Sequence, residues 1–87
     1  MEIIHVTVIH PLGLHARPAS LLARIVQGYD CDVEVWKRAD KKQHITNVIS
    51  IMALGAVRGD KLIFELRGRD EKAAAEAISK FINEGRE

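Results

Sequence analysis

The sequence predicts a two-layer α+β fold in which a four-stranded sheet packs against three helices. Two features of the 87-residue chain support this prediction. Apolar residues alternate with polar ones in some segments, as in half-buried strands, and recur every three or four positions in others, as in amphipathic helices. These segments follow one another in the order β-α-β-β-α-β-α, and a sheet with one apolar face needs helices to cover that face.

The first strand and the first helix have the clearest patterns. Ile4, Val6 and Val8 alternate with polar residues, which predicts a half-buried strand. The helix after it has an apolar stripe at positions i, i+3, i+4 and i+7, formed by Ala19, Leu22, Ala23 and Val26. Gly28 is predicted to end this helix in a left-handed conformation.

A hairpin is predicted after the first helix. Val33 and Val35 have the alternation of a strand, and Trp36 belongs to the outer phase of that strand. The polar residues 37–42 form the turn, which leads to a short strand around residues 44–45. The second and third strands are therefore expected to pair through a loose surface turn.

A short helix, a fourth strand and a last helix complete the pattern. Asn47 is a suitable N-cap for a helix over residues 48–54, which Gly55 would end, and residues 58–60 form a turn. The apolar residues of the fourth strand and of the last helix are Leu62, Phe64 and Leu66, then Ala74, Ile78, Phe81 and Ile82. Asp70 is the predicted cap of the last helix.

Composition limits the classes of function. Because 47% of residues are hydrophobic and 29% are charged, the chain has the composition of a globular protein, and we expect one domain over residues 1–87. The formal net charge of +1 provides no general attraction to nucleic acid or to a membrane surface. Cys31 cannot form an internal disulfide, and there is neither a leader nor an apolar run long enough for a membrane helix. We therefore expect a cytoplasmic protein without membrane insertion.

Residues 13–20, Gly-Leu-His-Ala-Arg-Pro-Ala-Ser, are the most informative about function. They place His15 just before a helix, where the first backbone N–H groups have no carbonyl partner within the helix and the dipole adds positive charge. Gly13 allows a close backbone approach, and Pro18 suits a first turn in which its missing N–H would have had no acceptor. A phosphoryl group on His15 would meet those N–H groups and the guanidinium of Arg17. We therefore interpret the segment as a phosphohistidine site.

The string Gly-Leu-His-Ala-Arg-Pro-Ala resembles the active-site signature of the histidine-containing phosphocarrier (HPr) family of the sugar phosphotransferase system. Weaker resemblances to that family lie at residues 29–33, 50–55 and 68–71. The resemblance implies an open-faced sandwich, in which an antiparallel sheet of strand order 1-4-2-3 is covered by helices on one side. We expect the chain to be a monomer.

The resemblance also implies how the site works. Nδ1 of His15 would accept a phosphoryl group from phosphorylated enzyme I and pass it to an enzyme IIA component. Arg17, together with Ala16, would bind the phosphoryl group. The carrier would need no metal and no cofactor and would turn over nothing on its own, because carrier and partner together supply the transfer geometry.

A carrier must dock on several partners, so an exposed apolar surface beside the histidine is expected. Residues 48–54 are apolar nearly all round. If Ile51 and Leu54 face inward, the outward residues form a contact surface, namely Val48, Ile49 and Met52. The alternative is a fully buried helix.

The first helix is predicted to border the same surface. Its residues on the side of Arg17 and away from the core stripe are Ser20, Leu21 and Arg24. Arg24 could attract acidic residues of a partner, and the equally favoured alternative is a solvated surface arginine.

Many HPr relatives in Gram-positive bacteria carry a regulatory serine just before the second helix. Counting back from Leu54 and Gly55 without gaps places Asn47, which cannot be phosphorylated, at that position. An alignment with gaps would place Ser50 there, and we favour Asn47 because the gap-free spacing preserves the helix length. The turn at residues 37–42 is one residue longer than in common relatives, which a surface turn tolerates.

Other functions are less well supported. His5, His10 and His15 are evenly spaced, but no cysteine or carboxylate cluster joins them to complete a metal site. A nucleic-acid module would need a basic face with interleaved aromatic residues. Relatives that only bind regulators lack the active-site histidine, whereas carriers for nitrogen regulation or dihydroxyacetone phosphorylation share the signature. The branch that this chain would serve is therefore left open.

Overall fold

The computed structural model of the chain describes residues 1–37, 42–44 and 47–84. The predicted order of elements is confirmed, and they span β1 (Glu2–Thr7), α1 (Ala16–Gln27), β2 (Asp32–Lys37), β3 (Gln43–His44), α2 (Val48–Met52), β4 (Lys61–Arg67) and α3 (Glu71–Glu84). Within these residues, no helix combines the length and the hydropathy that crossing a lipid bilayer requires.

Three strands form most of the sheet. β4 lies between β1 and β2, pairs antiparallel with both, and the two-residue β3 adds to the outer edge of β2, so the order is β1-β4-β2-β3. The predicted sheet of four strands is thus only partly right. The third strand has few apolar residues to bury, and β3 pairs only at Glu34 with His44 and at Val35 with Gln43. Residues 38–41 of the predicted turn and Ile45 lie outside the described residues.

One face of the sheet and the helices share a hydrophobic core. The inward side chains of β2 and β4 are almost completely buried, namely Val33, Val35, Leu62, Phe64 and Leu66. The predicted stripe of α1 is buried against them, as are Ala74, Ile78 and Ile82 of α3, while Phe81 is half-buried. On the other face, Ile3 is 49% exposed and His5 is exposed, so no helix covers it among the described residues. The α+β architecture with one open face is therefore confirmed.

Two predicted helix ends are wrong. Gly28 has φ −80° and ψ −5°, a right-handed conformation, and its N–H donates to the carbonyls of Arg24 and Ile25. The last turn of α1 therefore closes without a left-handed residue. α2 ends at Met52 rather than at residue 54, because Gly55 has φ +60° and its N–H donates to the Met52 carbonyl in a tighter turn.

Reciprocal hydrogen bonds join the start of α3 to the loop before β2. The carboxylate of Asp70 accepts the N–H of Asp30 at 2.7 Å, and the N–H of Asp70 donates to the Asp30 carbonyl at 3.1 Å. The Asp70 carbonyl accepts the Ala74 N–H at 2.9 Å, so Asp70 stands at the predicted start of the helix. Burial, and then the nearby carboxylates of Asp70 and Asp32, raise the pKa of the half-buried Cys31 thiol, which opposes thiolate chemistry there.

Asn47 caps α2, as predicted. Its backbone is extended, its side-chain Oδ1 accepts the N–H of Ser50 at 3.1 Å, and the Ser50 hydroxyl accepts the N–H of Asn47 at 3.1 Å. Each residue therefore satisfies a backbone donor of the other, which is the capping-box arrangement. This arrangement fixes the first turn of a helix that has only five residues.

Replacing Asn47 tests how much this cap stabilises the protein. We expect Asn47→Ala to lower the free energy of unfolding by about 1 kcal/mol, because the Ser50 N–H loses its acceptor. Urea unfolding followed by circular dichroism measures the change. Asn47→Asp retains a side-chain acceptor and is expected to unfold close to the parent protein. An unchanged midpoint for Asn47→Ala would show that the cap contributes nothing.

Candidate functional site

The loop before α1 is held against the segment that follows α2. Gly13 has φ +70°, and a Cβ added to it would lie only 2.8 Å from the Cα atom of Val57. The N–H of the buried Leu14 donates to the carbonyl of Ala56 at 3.0 Å. A larger residue than glycine would separate these two segments. The close approach predicted at Gly13 is therefore present, and it sets the point at which α1 begins.

His15 occupies the N-cap position of α1. Its backbone is extended, with φ −78° and ψ −170°, and its carbonyl accepts the N–H of Ala19 at 2.9 Å. The side chain is half-buried, and its Nε2 atom is covered by protein. One of the two ring nitrogens of His15 is therefore shielded from solvent.

The first turn of α1 presents backbone donors next to this ring. Ala16 and Arg17 are its first two residues and both are exposed, whereas Pro18 and Ala19 are buried beneath them. The N–H groups of a first turn have no intrahelical acceptor, and the dipole favours an anion there. Pro18 lacks an N–H at a position where none is needed. The turn thus has an open side that can bind an anion and a buried side that holds the turn in place.

His10 lies against His15, which the sequence analysis missed. The centroids of the two rings are 5.1 Å apart and their planes are inclined by 55°. Nδ1 of His10 accepts the N–H of Leu12 at 3.1 Å. The even spacing of His10 with His5 and His15 suggested only a metal ligand. The contact between the two rings depends on how the turn at Gly13 folds back, for which the sequence has no periodic signal. The exposed His5 lies on β1 opposite Ile63, away from this pair.

The three residues of α1 that were predicted to border the apolar surface differ in their exposure to solvent. Ser20 and Arg24 are exposed and Leu21 is half-buried. α1 packs beside α2, so these side chains lie on the helix next to the predicted apolar surface. The docking role of Arg24 stays a prediction.

α2 is partly exposed, which excludes the alternative of a fully buried helix. Ile51 and Leu54 face inward and are 0% and 6% exposed, as predicted. Ile49 and Met52 face outward, at 77% and 46% exposed. Val48 was predicted to face outward with them, but it is half-buried and packs against the core. Because the start of α2 packs on the core, the side chain of Val48 is partly covered. The exposed apolar surface of α2 is therefore narrower than predicted.

Two further exposed apolar side chains were not predicted. Leu12 is 70% exposed and Val57 is 58% exposed, and they belong to the two segments that meet at Gly13. Both are in loops, where hydrophobic periodicity carries no information about the direction of a side chain. Exposed apolar side chains therefore occur in both loops of the site as well as on α2.

Asn47 and Ser50, the two candidates for the regulatory position, belong to one hydrogen-bonded cap. The Ser50 hydroxyl also donates to the Asn47 carbonyl at 2.7 Å. Phosphorylation of Ser50 would remove that hydroxyl hydrogen and disrupt the cap, whereas Asn47 has no hydroxyl to modify. Which residue aligns with the family's serine stays a prediction.

The chain matches known phosphocarriers over almost its whole length. A sequence model of the PTS-HPr family, described as the PTS HPr component phosphorylation site, matches residues 4–84. A curated HPr from Mycoplasma pneumoniae is 32% identical over 78 residues, which is 90% of this chain and 89% of that protein. Phosphocarrier protein NPr from Escherichia coli K12 is 30% identical over 80 residues, or 92% of this chain and 89% of that protein.

Solved structures have the same fold. The crystal structure of HPr-C-His from Thermoanaerobacter tengcongensis superimposes with a TM-score of 0.90 at 28% identity, covering 100% of this chain and 99% of that chain. A dimer of HPr from the same organism has a TM-score of 0.72 at 27% identity, covering 97% and 95%. Since a similar carrier forms a dimer, the expected monomeric state stays a prediction.

The fold, the histidine at the N-cap position of α1 and these matches define a phosphocarrier protein of the phosphotransferase system. Within that class, the chain belongs to the HPr family.

Proposed function

We propose that the chain carries a phosphoryl group on Nδ1 of His15, accepting it from phosphorylated enzyme I and passing it to an enzyme IIA component. One observation carries this proposal: the half-buried ring stands at the N-cap of α1 with its Nε2 covered by protein. Burial of Nε2 supports the assignment of Nδ1 as the nucleophile. Membership of a phosphocarrier family supports the same assignment.

The transfer is a substitution at phosphorus. The lone pair of Nδ1 forms the new N–P bond, and the bond between phosphorus and the donor breaks with its electron pair leaving on the donor. The phosphoryl oxygens then lie near the N–H groups of Ala16 and Arg17, at the positive end of the helix dipole. The Arg17 guanidinium can add paired charge-assisted hydrogen bonds. Onward transfer reverses these events, so the group must be held without being bound too tightly to leave.

The carrier's own residues supply binding and orientation, and the partner supplies the rest of the transfer site. We propose that partners dock on a surface around His15 that we call the docking surface. It consists of Ile49 and Met52 on α2, bordered by Ser20, Leu21, Arg24 and Val48. The flexible methionine suits a surface that meets several partners. No metal or cofactor is required by this arrangement, and the carrier would act in the cytoplasm as a substrate rather than as an enzyme.

We do not expect regulation by serine phosphorylation at position 47, because Asn47 occupies that position. An asparagine caps the helix without offering a hydroxyl to a kinase. We therefore propose that the site transfers phosphate without a serine-dependent control at that position.

Labelling with phosphoenolpyruvate tests the carrier function directly. Incubation with enzyme I, magnesium and phosphoenolpyruvate is expected to add one acid-labile phosphate to the chain, and His15→Ala is expected to abolish the labelling because the nucleophile is gone. Mass spectrometry before and after acid treatment measures it. His5→Ala removes an exposed histidine from β1 and is the matched control, which should label normally. Labelling of His15→Ala to the parent level would refute the assignment.

The guanidinium of Arg17 is expected to act on the transfer step. Arg17→Ala should lower kcat for phosphotransfer at least about tenfold, and Arg17→Lys should recover only part of it, because a lysine cannot form paired hydrogen bonds with the phosphoryl oxygens. Rapid-quench measurement of transfer from phosphorylated enzyme I gives the rates. Arg24→Ala, on the same helix, is expected to raise KM at most and to leave kcat near the parent value. Equal kcat for Arg17→Ala and the parent would reduce Arg17 to a surface residue.

The docking surface is tested by its most exposed apolar residue. We expect Ile49→Ala to raise KM for enzyme I about five- to tenfold with little change in kcat, because truncation removes a contact made equally before and during transfer. Ile3→Ala is the control, since Ile3 is also exposed but lies on the open face of the sheet. The same KM increase in both variants would contradict a specific role for α2.

A further inference from the structure

The ring of His10 is in contact with the ring of His15, although the mechanism proposed above assigns it no part. The centroid separation of 5.1 Å and the inclination of 55° are those of a tilted aromatic pair. Both side chains are half-buried. Such a contact restricts rotation of the two rings about their Cβ–Cγ bonds, because turning either ring changes the surface that it presents to the other.

His10 is itself held by the turn in which it lies. Its carbonyl accepts the N–H of Gly13 at 2.9 Å, and its Nδ1 accepts the N–H of Leu12 at 3.1 Å. The second bond selects the tautomer that carries its proton on Nε2. Since Gly13 and Leu14 are fixed against Ala56 and Val57, the His10 ring is attached to the same rigid corner that starts α1.

We infer that His10 is a positioning residue that holds the His15 ring with Nε2 inward and Nδ1 outward, and so selects Nδ1 as the phosphorylated nitrogen. The inference rests on the function proposed above and specifies one residue that supports it. Two observations meet here: the packed and anchored His10 ring, and the burial of the Nε2 atom of His15.

The choice between the two nitrogens requires such a device. Both nitrogens of a neutral imidazole can attack phosphorus, depending on which of them carries the proton. A half-turn about the Cβ–Cγ bond would exchange the position of Nδ1 with that of Cδ2 and the position of Nε2 with that of Cε1, so Nε2 would leave its covered position. Loss of one aromatic contact is expected to change the preference between the two orientations about two- to tenfold.

A small phosphoryl donor measures this preference without a partner enzyme. With phosphoramidate, the lone pair of a ring nitrogen forms the N–P bond, the N–P bond of the reagent breaks, and its nitrogen leaves as ammonia. Phosphorus-31 and nitrogen-15 NMR at early times distinguish the Nδ1 product from the Nε2 product. We expect the parent chain to give mainly the Nδ1 product on His15, with the ratio of Nδ1 to Nε2 product falling about two- to tenfold in His10→Ala.

Two further variants separate the ring from its hydrogen bond. His10→Phe keeps a ring without the Nδ1 acceptor, and His10→Asn keeps an acceptor without the ring. We expect His10→Phe to retain most of the Nδ1 preference and His10→Asn to behave like His10→Ala. His44→Ala removes an exposed histidine from β3 and is expected to leave the ratio unchanged. Amide NMR spectra of each variant check that the fold is retained.

The outcomes distinguish this inference from the proposed function. Unchanged product ratios in His10→Ala, with the parent phosphorylated at Nδ1 of His15, would overturn the role of His10 and leave the carrier function standing. Parent-like ratios in His10→Asn together with altered ratios in His10→Phe would also overturn it, because the ring contact would then be irrelevant. Failure of phosphoramidate to modify His15 of the parent, under conditions that modify free histidine, would overturn both.

Discussion

The attachment of the loop before α1 to the segment after α2 is the contact on which the site depends. The N–H of Leu14 donates to the Ala56 carbonyl. Glycine is the only residue type at position 13 that leaves room for the backbone of Val57. The segment after α2 is in turn bonded to the end of β1, because the N–H of Val8 donates to the Asp60 carbonyl. Three parts of the chain therefore meet at one corner, and α1 begins from a fixed position.

The first turn of α1 combines order with access. Pro18 and Ala19 are buried and anchor the turn, whereas Ala16 and Arg17 face outward. His15 stands between these two environments, with one ring nitrogen covered. A group that must be reached by different partners and still keep its orientation needs such a buried support, because an exposed side chain without one would lose entropy in every encounter. The proposed carrier chemistry uses the open side, and the inferred role of His10 belongs to the support.

Features that depend on a local sequence pattern could be predicted, whereas contacts between distant segments of the chain could not. The stripe of α1, the burial of the apolar residues of β4 (Leu62, Phe64 and Leu66) and the Asn47 cap all follow from residues within one turn or one strand, and each is confirmed. The predictions were wrong for the end of α2, the conformation of Gly28 and the exposure of Val48. Each of these features depends on how the end of a helix packs on the rest of the molecule. The predicted short third strand is present as the two residues of β3 within the described part of the chain.

The amino-acid sequence determined the order of elements, the side of each strand that is buried, and the spacing of His15, Arg17 and Pro18 at a helix start. These features arise from periodicity and from hydrogen bonds between near neighbours. The tertiary structure alone decided that the ring of His10 packs on that of His15 and that Nε2 is the covered nitrogen. Both depend on a turn closed by contacts with residues some forty positions away, whose partners no local pattern identifies.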